Sequence, residues 1–425
     1  MSDLLFARGQ MALSLGFHIV FAAIGIAMPV FMVIAEVMWR RTRDERYLAL
    51  AKQWAKGTAV LFAVGAVSGT VLSFELGLLF PIFMKHAGAV IGMPFSLEGF
   101  AFFTEAIFLG IYLYGRDKVK PRWHIAAGVI VALSGALSAV FVILANAWMN
   151  VPTGFDWTRD AGGRLIISNV DPVAAMQSPM AASQVIHMLL AAYMATALAV
   201  AGVHAWALLR GRDAELHRRA LGIALAILIP TALAQPVVGH WAGQVVAREQ
   251  PMKLAAMEQL VKTQRGAALH IGPVPVPKLL SIMAFNHPDA EVRGLEEIPR
   301  ADWPHPVVRW AFQAMVALGT LLGLLALWAC LRWLRRRRTP WWDSRRLLRA
   351  LMVCAPLGFV AIEAGWVVTE VGRQPWVITG VLRTAEAVTP MPGLGYKFAG
   401  FALIYLGLAV TVGFVLWRMV KEAPR

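Results

Sequence analysis

The 425-residue chain is poor in charge, with 15% Asp, Glu, Lys and Arg against 58% hydrophobic residues. A soluble protein carries about 25% charged residues, so the composition excludes an ordinary soluble enzyme. Cysteine is scarcer still: Cys330 and Cys354 are the only two, which excludes a disulfide scaffold and a CxxC metal site. The N-terminal stretch lacks a basic region followed by a small-residue cleavage site, so we do not expect residues 1–37 to be a signal peptide.

The chain instead contains repeated apolar runs, each near the roughly 20 residues that a helix needs to cross a bilayer. We therefore predict an all-α, polytopic membrane protein of about nine transmembrane helices. The predicted spans are 13–37, 57–80, 95–114, 124–148, 182–208, 219–240, 307–331, 350–370 and 394–417.

Basic residues concentrate in short connections between these spans. Most of the 40 lysines and arginines lie in residues 39–56, 115–123, 210–219, 332–349 and the C-terminal tail. Because basic loops stay on the cytoplasmic side, we expect the N-terminus outside and the C-terminus in the cytoplasm. The net charge of +15 then reflects topology and attraction to anionic lipid heads of the bilayer. Nucleic acid is not an expected partner, since the membrane already explains these dispersed charges.

A longer polar connection, residues 241–306, lies on the predicted outer side. Its stretch 245–263 has an amphipathic helical pattern, while the prolines of GPVPVPK (272–278) favour extended backbone. Loops of this length are usually functional or disordered, and the mixed pattern favours a folded, functional one. We divide the chain accordingly into residues 1–240 with six spans, the outer segment 241–306, and residues 307–425 with three spans.

Polar side chains inside the predicted spans are costly in lipid and are typically functional. They share one depth, the outer half of the predicted bundle, and the cytoplasmic half has almost none. Glu98 and Glu105 are seven residues apart, as are Glu363 and Glu370, so each pair lies on one helix face. The full set is His18, Glu75, Glu98, Glu105, His187, Met315, Glu363 and Glu370.

This donor set favours haem chemistry. His with Met is an axial pair for low-spin haem iron, and a carboxylate or a lone His leaves an iron open to a small ligand such as O₂. An arginine such as Arg373 can pair bidentately with a haem propionate. A proton-coupled transporter is the alternative, although its site would usually lie at the midplane on broken helices. A di-haem anchor that passes electrons to a soluble partner is a third hypothesis.

The motif GWVVTEVGRQPW (365–376) and six further segments resemble, in order, subunit I of the cytochrome bd-type quinol oxidases over essentially the whole chain. These segments are GQMALSLGFHIVF, SLEGFAFFTEAIFLGIYLYG, SQVIHMLLAAY, KLAAMEQL, AFNHPDAEVRGLEEIP and AFQAMVALG. The resemblance implies a multi-pass protein of the bacterial cytoplasmic membrane. It would oxidise quinol at the outer face and reduce O₂ to water with cytoplasmic protons, generating proton motive force without pumping.

The resemblance also implies three haems, namely a low-spin haem b and a high-spin pair of haem b and haem d, or a b-type haem in place of haem d. His187 and Met315 would ligate the low-spin iron. The high-spin irons would take His18, Glu98 and Glu370 as ligands.

Further roles are implied outside the ligand set. Arg373 would pair with a propionate, and Trp366 is a candidate for the path between haems, with interfacial packing as its alternative role. Glu105 would hand protons toward the oxygen site. Lys253 and Glu258 would contact the quinol, which is ubiquinol or menaquinol.

The implied partner is subunit II of the oxidase, with room for a small single-span subunit. Three departures from the family pattern stand out. Gln313 occupies a position, two residues before the methionine, where relatives often carry arginine. The outer segment is short, as in the subgroup that includes cyanide-insensitive oxidases. Glu98 and Glu105 are seven residues apart, whereas some relatives have eight.

Overall fold

The computed structural model describes residues 3–159, 165–272, 274–335 and 344–422, so the predicted cytoplasmic residues 336–343 lie outside the described part. Within it the protein is overwhelmingly helical. The helices are α1 (Asp3–Thr42), α2 (Glu45–Leu79), α3 (Pro81–Tyr114), α4 (Pro121–Asn150), α5 (Pro172–Met176), α6 (Ala181–Leu209), α7 (Ala214–Glu249), α8 (Pro251–Glu258), α9 (Leu279–Phe285), α10 (Val307–Arg335), α11 (Arg345–Cys354), α12 (Leu357–Val371), α13 (Thr384–Ala387) and α14 (Leu394–Glu422).

The strands are short and pair as antiparallel two-stranded ribbons in the connections. β1 pairs with β2, β3 with β6, β4 with β5, and β7 with β8. Their bounds are β1 (Asp156–Arg159), β2 (Leu165–Ser168), β3 (Gln264–Arg265), β4 (Leu269–Ile271), β5 (Val274–Val276), β6 (Glu291–Val292), β7 (Trp376–Ile378) and β8 (Leu382–Arg383).

The predicted spans are confirmed: in the described ranges, nine helical segments are long and apolar enough to cross a membrane. Several helices extend well beyond the predicted bounds. Phe80 alone separates α2 from α3, because Pro81 suits the first turn of a new helix, where its missing N–H would have no partner anyway. The predicted span 350–370 consists of two helices, α11 and α12, since Pro356 cannot donate the hydrogen bond that would continue α11.

The outer segment is folded, and its predicted helix 245–263 is helical only in part, because it is interrupted at Gln250 and ends at Glu258. α7 continues to Glu249, Gln250 leaves the helical conformation, and α8 starts at Pro251, where the proline removes a backbone donor and breaks the helix. A small apolar core then holds α8, α9 and the ribbons together. It is formed by Ala247, Leu254, Ala267, Leu280, Ala284 and Val292.

The expectation that the predicted cytoplasmic half is nearly free of polar side chains is also wrong. At that end, Glu36 of α1 and His124 of α4 are fully buried, with His124 Nδ1 2.8 Å from Glu36 Oε2. Arg40 Nη2 donates to Glu36 Oε1 at 2.8 Å. A second polar pair lies at another predicted cytoplasmic connection, the turn between α6 and α7. There His204 Nδ1 and His217 Nδ1 are 2.8 Å apart. The sequence does not reveal these pairs, because each joins residues far apart in the chain or across a turn.

Small residues let the central helices approach closely. α4 packs against α1, α3 and α6, while α6 and α10 each pack against both α7 and α12. A Cβ on Gly358 of α12 would lie 2.6 Å from Cα of Ala195 on α6, a separation that only glycine allows. Close packing of this kind stabilises membrane helices, because lipid gives them no hydrophobic drive to associate.

Candidate functional site

His187 and Met315 belong to one four-helix group. His187 lies on α6 and Met315 on α10, and the helices that flank both are α7 and α12. Imidazole and thioether side chains on two helices that share the same two neighbours could hold one cofactor between them. Histidine with methionine is a pair that would hold a low-spin haem iron.

Glycines lie directly beside both side chains. A Cβ on Gly365 of α12 would be 3.1 Å from Met315 Sδ, and one on Gly239 of α7 would be 3.3 Å from His187 Cε1. The absence of side chains at these two positions keeps space next to each donor atom. Gln235 of α7 also contacts the histidine: its Nε2 lies 3.3 Å from His187 Nδ1 and donates to the His187 carbonyl at 3.2 Å.

Three carboxylates line up along α4. Both oxygens of Glu105 would lie 3.3 Å from a Cβ on Gly135, and Ser138 Oγ donates to Glu98 Oε1 at 3.3 Å. Asn146 Nδ2 donates to Glu370 Oε1 at 2.5 Å. At 1.5 Å of rise per residue, Gly135 and Asn146 are about 16 Å apart along the helix. The order along α4 is therefore Glu105, Glu98, Glu370.

His18 of α1 lies against α2. Its Nδ1 is 2.9 Å from the Ser68 hydroxyl, and a Cβ on Gly69 would be 2.9 Å from its Cε1. The structure does not place His18 in contact with Glu98 or Glu370, which face α4 instead. Glu363 does contact α1, since a Cβ on Gly16 would lie 3.3 Å from its Oε2. Glu363 therefore contacts α1, whereas Glu370 contacts α4.

Arg373 is the clearest candidate to bind an anionic group. It follows α12 and is 4% exposed, and its Nη2 donates to Glu370 Oε2 at 2.5 Å. Its Nε and Nη1 are buried without a hydrogen-bond partner in the described residues. Buried donors are almost always satisfied, and two guanidinium nitrogens fit a carboxylate such as a propionate.

Lys253 reaches the same place from the outer segment. Its Nζ donates to Asn150 Oδ1 at the end of α4 and, at 3.3 Å, to the Thr369 carbonyl of α12. Burial lowers the Lys253 pKa to about 7, an effect increased by Arg373 and opposed by Glu370. The structure therefore brings Lys253, Glu370 and Arg373 into one network.

Glu258, at the last turn of α8, is 5% exposed and stands apart from this network. Burial raises its pKa to about 7, and the Arg309 charge opposes the rise. Arg309 Nη1 also donates to the Glu258 carbonyl at 2.7 Å. A carboxyl of this kind can take up and release a proton at neutral pH.

Trp366 packs in an apolar cluster between α1, α6 and α12, together with Ile19, Ala192 and Ile362. The cluster also includes Leu15 and Met188, which neighbour the regions of His18 and His187 in sequence. Trp366 thus lies between the helices that carry the two histidines. The contact is apolar packing in the interior of the bundle.

Sequence reasoning missed Asn146, Asn150, Ser138 and Gln235. A signal existed for the asparagines, which are polar residues one turn apart at the end of an otherwise apolar span. Ser138 and Gln235 follow the same rule, since each is a hydrogen-bonding side chain inside a span. Their partners could not be inferred, because each lies on another helix.

Residues 6–424 match the family described as Cytochrome bd terminal oxidase subunit I. The chain is similar to a putative cytochrome bd menaquinol oxidase subunit I of Bacillus subtilis (strain 168), with 36% identity over 100% of this chain and 98% of that protein. It is also similar to the cytochrome bd-II ubiquinol oxidase subunit 1 of Escherichia coli (strain K12), with 26% identity over 90% of this chain and 88% of that protein.

The fold has a solved counterpart. The bd oxidase structure from Geobacillus thermodenitrificans superposes with a TM-score of 0.90 and 36% sequence identity, covering 99% of each chain.

Proposed function

Because the chain belongs to the cytochrome bd terminal oxidase subunit I family, a family of quinol oxidases of the membrane, we propose that it oxidises quinol at the outer face and reduces O₂ to water with cytoplasmic protons. The observation that carries the proposal is the convergence of Lys253, Glu370 and Arg373 where the outer segment meets the bundle. At that point the segment that we propose to bind quinol contacts two of the residues that we propose to bind haem.

Haem is the cofactor that membership in this family implies, and the residues present fit it. His187 and Met315 would hold a low-spin haem b, and His18, Glu98 and Glu370 would serve a high-spin pair. That pair is a second haem b and haem d, or a b-type haem in place of haem d. Bound haem supplies single-electron transfer and O₂ activation. The two free nitrogens of Arg373 support a propionate contact.

Quinol oxidation requires two protons to leave the substrate. Glu258 is placed to accept one, because its buried carboxyl titrates near neutrality. Lys253 would donate a hydrogen bond from its buried amino group to a quinol oxygen and, when protonated, stabilise negative charge as it develops there. Both residues lie in α8, on the face of the bundle from which we infer that the protons leave.

Protons for water formation would come from the opposite face. Glu105 is 6% exposed, its carboxylate lies against Gly135 of α4, and it follows Glu98 by about two turns of α3. We infer that Glu105 holds a proton and passes it along α4 toward Glu98. Charge separation then follows from uptake and release on opposite sides, without a pump.

Subunit II and quinol are the partners that family membership implies, with a small single-span subunit as a further candidate. Oxygen uptake by the purified complex, measured separately with ubiquinol and menaquinol analogues, tests the proposal and identifies the quinone. The expected result is uptake that depends on quinol, together with reducible low-spin and high-spin haem bands. Haem-replete protein that shows no reducible band would favour a proton-coupled transporter. Two low-spin haems without O₂ uptake would favour a di-haem anchor.

A further inference from the structure

The end of α4 carries two asparagines one turn apart, Asn146 and Asn150. Asn150 Nδ2 donates to the Asn146 carbonyl at 2.9 Å and to Asn146 Oδ1 at 3.0 Å. Asn150 is completely buried and Asn146 is 9% exposed. Buried amides require partners for both their donors and their acceptors, so the groups that they contact beyond α4 are informative.

Each asparagine contacts a different part of the protein. Asn146 donates to Glu370 Oε1 at 2.5 Å. Asn150 Oδ1 accepts from Lys253 Nζ, and Gln250 Nε2 donates to the Asn150 carbonyl at 2.9 Å and to Oδ1 at 3.2 Å. One amide therefore contacts the carboxylate beside Arg373, and the other contacts two residues of the outer segment.

We propose that Asn146 and Asn150 are positioning residues that join the outer segment to the Glu370–Arg373 pair. Asn150 fixes the start of α8 through Gln250 and Lys253, and Asn146 fixes the Glu370 carboxylate. The kinetic consequences of this proposal rest on the proposed quinol oxidase function, whereas its structural consequences do not.

The close approach of α8 to the bundle supports the proposal. A Cβ on Gly372 would lie 3.2 Å from Lys253 Cγ, so the lysine stem lies directly on the turn after α12. Glu370 and Arg373 are the charged groups that face Lys253 from this turn, and α4 faces it with the neutral amide of Asn150. Without that amide, the buried Lys253 amino group keeps only the Thr369 carbonyl as a hydrogen-bond partner among the described residues, and α8 is expected to move.

The competing explanation is that the two asparagines only satisfy hydrogen-bonding groups at the C-terminal end of α4. Ser178 offers a matched control, because its hydroxyl is buried and donates to the Ala147 and Val151 carbonyls at 3.2 and 2.9 Å. Ser178→Ala removes buried hydrogen bonds at the same end of α4 without touching Lys253 or Glu370. If the asparagines only satisfy groups at the helix end, replacing them should have the same effects as Ser178→Ala.

The test uses the haem-loaded complex with its second subunit. It compares Asn150→Ala, Asn150→Asp and Asn146→Ala with Ser178→Ala by hydrogen exchange of α8, visible spectra, and kcat and KM for a soluble quinol. We expect Asn150→Ala to speed hydrogen exchange in α8 and to leave the haem bands intact. KM should rise about fivefold, which corresponds to the loss of one hydrogen bond. Asn150→Asp keeps the acceptor and should restore both values. Asn146→Ala should shift the high-spin bands while KM stays near the original value.

Wild-type α8 exchange in Asn150→Ala, or unchanged high-spin bands in Asn146→Ala, would overturn the proposal. If Asn150→Ala does not assemble, Gln250→Ala removes the Gln250 bonds to the Asn150 carbonyl and Oδ1 and leaves the Lys253 bond in place. This variant should also speed α8 exchange, and unchanged exchange there overturns the proposal equally. A wild-type complex that oxidises no quinol would refute the proposed function, and the exchange and spectral measurements would still decide the positioning roles.

Discussion

Met315 on α10 and Gly365 on α12 lie in direct contact, with only 3.1 Å between the methionine sulfur and the place where a Cβ of residue 365 would lie. Gly365→Ala should therefore displace the thioether and shift the low-spin haem band, with part of the haem becoming high-spin. Gly319→Ala is the matched control, because a Cβ there, one turn along α10 from Met315, meets nothing within 4 Å. Visible spectra of both variants check the prediction, and identical spectra would contradict it.

Met315→Leu should convert the low-spin haem to a high-spin form, because leucine offers no donor atom in place of the sulfur. The reduced-minus-oxidised spectrum should lose its low-spin band while total extracted haem changes little. Met194→Leu serves as the control, since Met194 is a buried methionine packed in the main core. If Met315→Leu keeps the low-spin band, another side chain ligates that iron.

Glu258 gives a pH prediction whose sign follows from burial. Its carboxyl has a pKa raised to about 7, so it is protonated below neutrality and cannot then accept a proton from quinol. Quinol oxidation should therefore rise as pH increases through about 7. Glu258→Gln should lower kcat by about 10²-fold or more, typical of a lost general base, and flatten this rise. An unchanged pH profile with intact haem bands would remove Glu258 from proton transfer.

Glu105→Gln should slow oxygen uptake while leaving all haem bands in place, because the amide fits beside Gly135 but cannot carry a proton. Glu98→Gln should instead alter the high-spin bands, since Glu98 is a proposed ligand. Each variant removes one carboxylate from α3 and keeps the other, so each serves as the control for the other. Loss of haem in Glu105→Gln would show that this residue ligates iron or supports its ligands.

The Glu36–His124 contact predicts a stability effect unrelated to the haem ligands. His124→Ala removes a buried hydrogen bond to a carboxylate, a loss of about 2 kcal/mol, while Arg40 continues to pair with Glu36. Thermal unfolding of the detergent-solubilised protein should shift to lower temperature. His86→Ala, at a half-buried histidine whose Nδ1 lies 2.8 Å from the Ile82 carbonyl of its own helix, should shift the unfolding temperature less. Equal shifts would contradict a special role for His124.

The helices were predictable because lipid requires long apolar runs and satisfied backbone hydrogen bonds. Their partners were not. Asn146 and Asn150 could be recognised as polar residues in a span, but their contacts with Glu370 and Lys253 depend on how α4 packs against α12 and α8. The break at Gln250 was concealed because the amphipathic pattern continues across Pro251. The pairing of Glu36 with His124 joins α1 to α4, and no local pattern encodes it.

The lengths of the helices have a consequence for the surrounding membrane. α1 has 40 residues and α7 has 36, which at 1.5 Å per residue gives about 60 and 54 Å, against a hydrocarbon thickness of about 30 Å. Both helices therefore project past the lipid. If the bilayer were thicker or thinner, its boundary would lie at a different height along these projecting ends. The cost in free energy from hydrophobic mismatch would be modest. The network of Lys253, Glu370 and Arg373 lies between protein helices, so it is shielded from changes in lipid chain length.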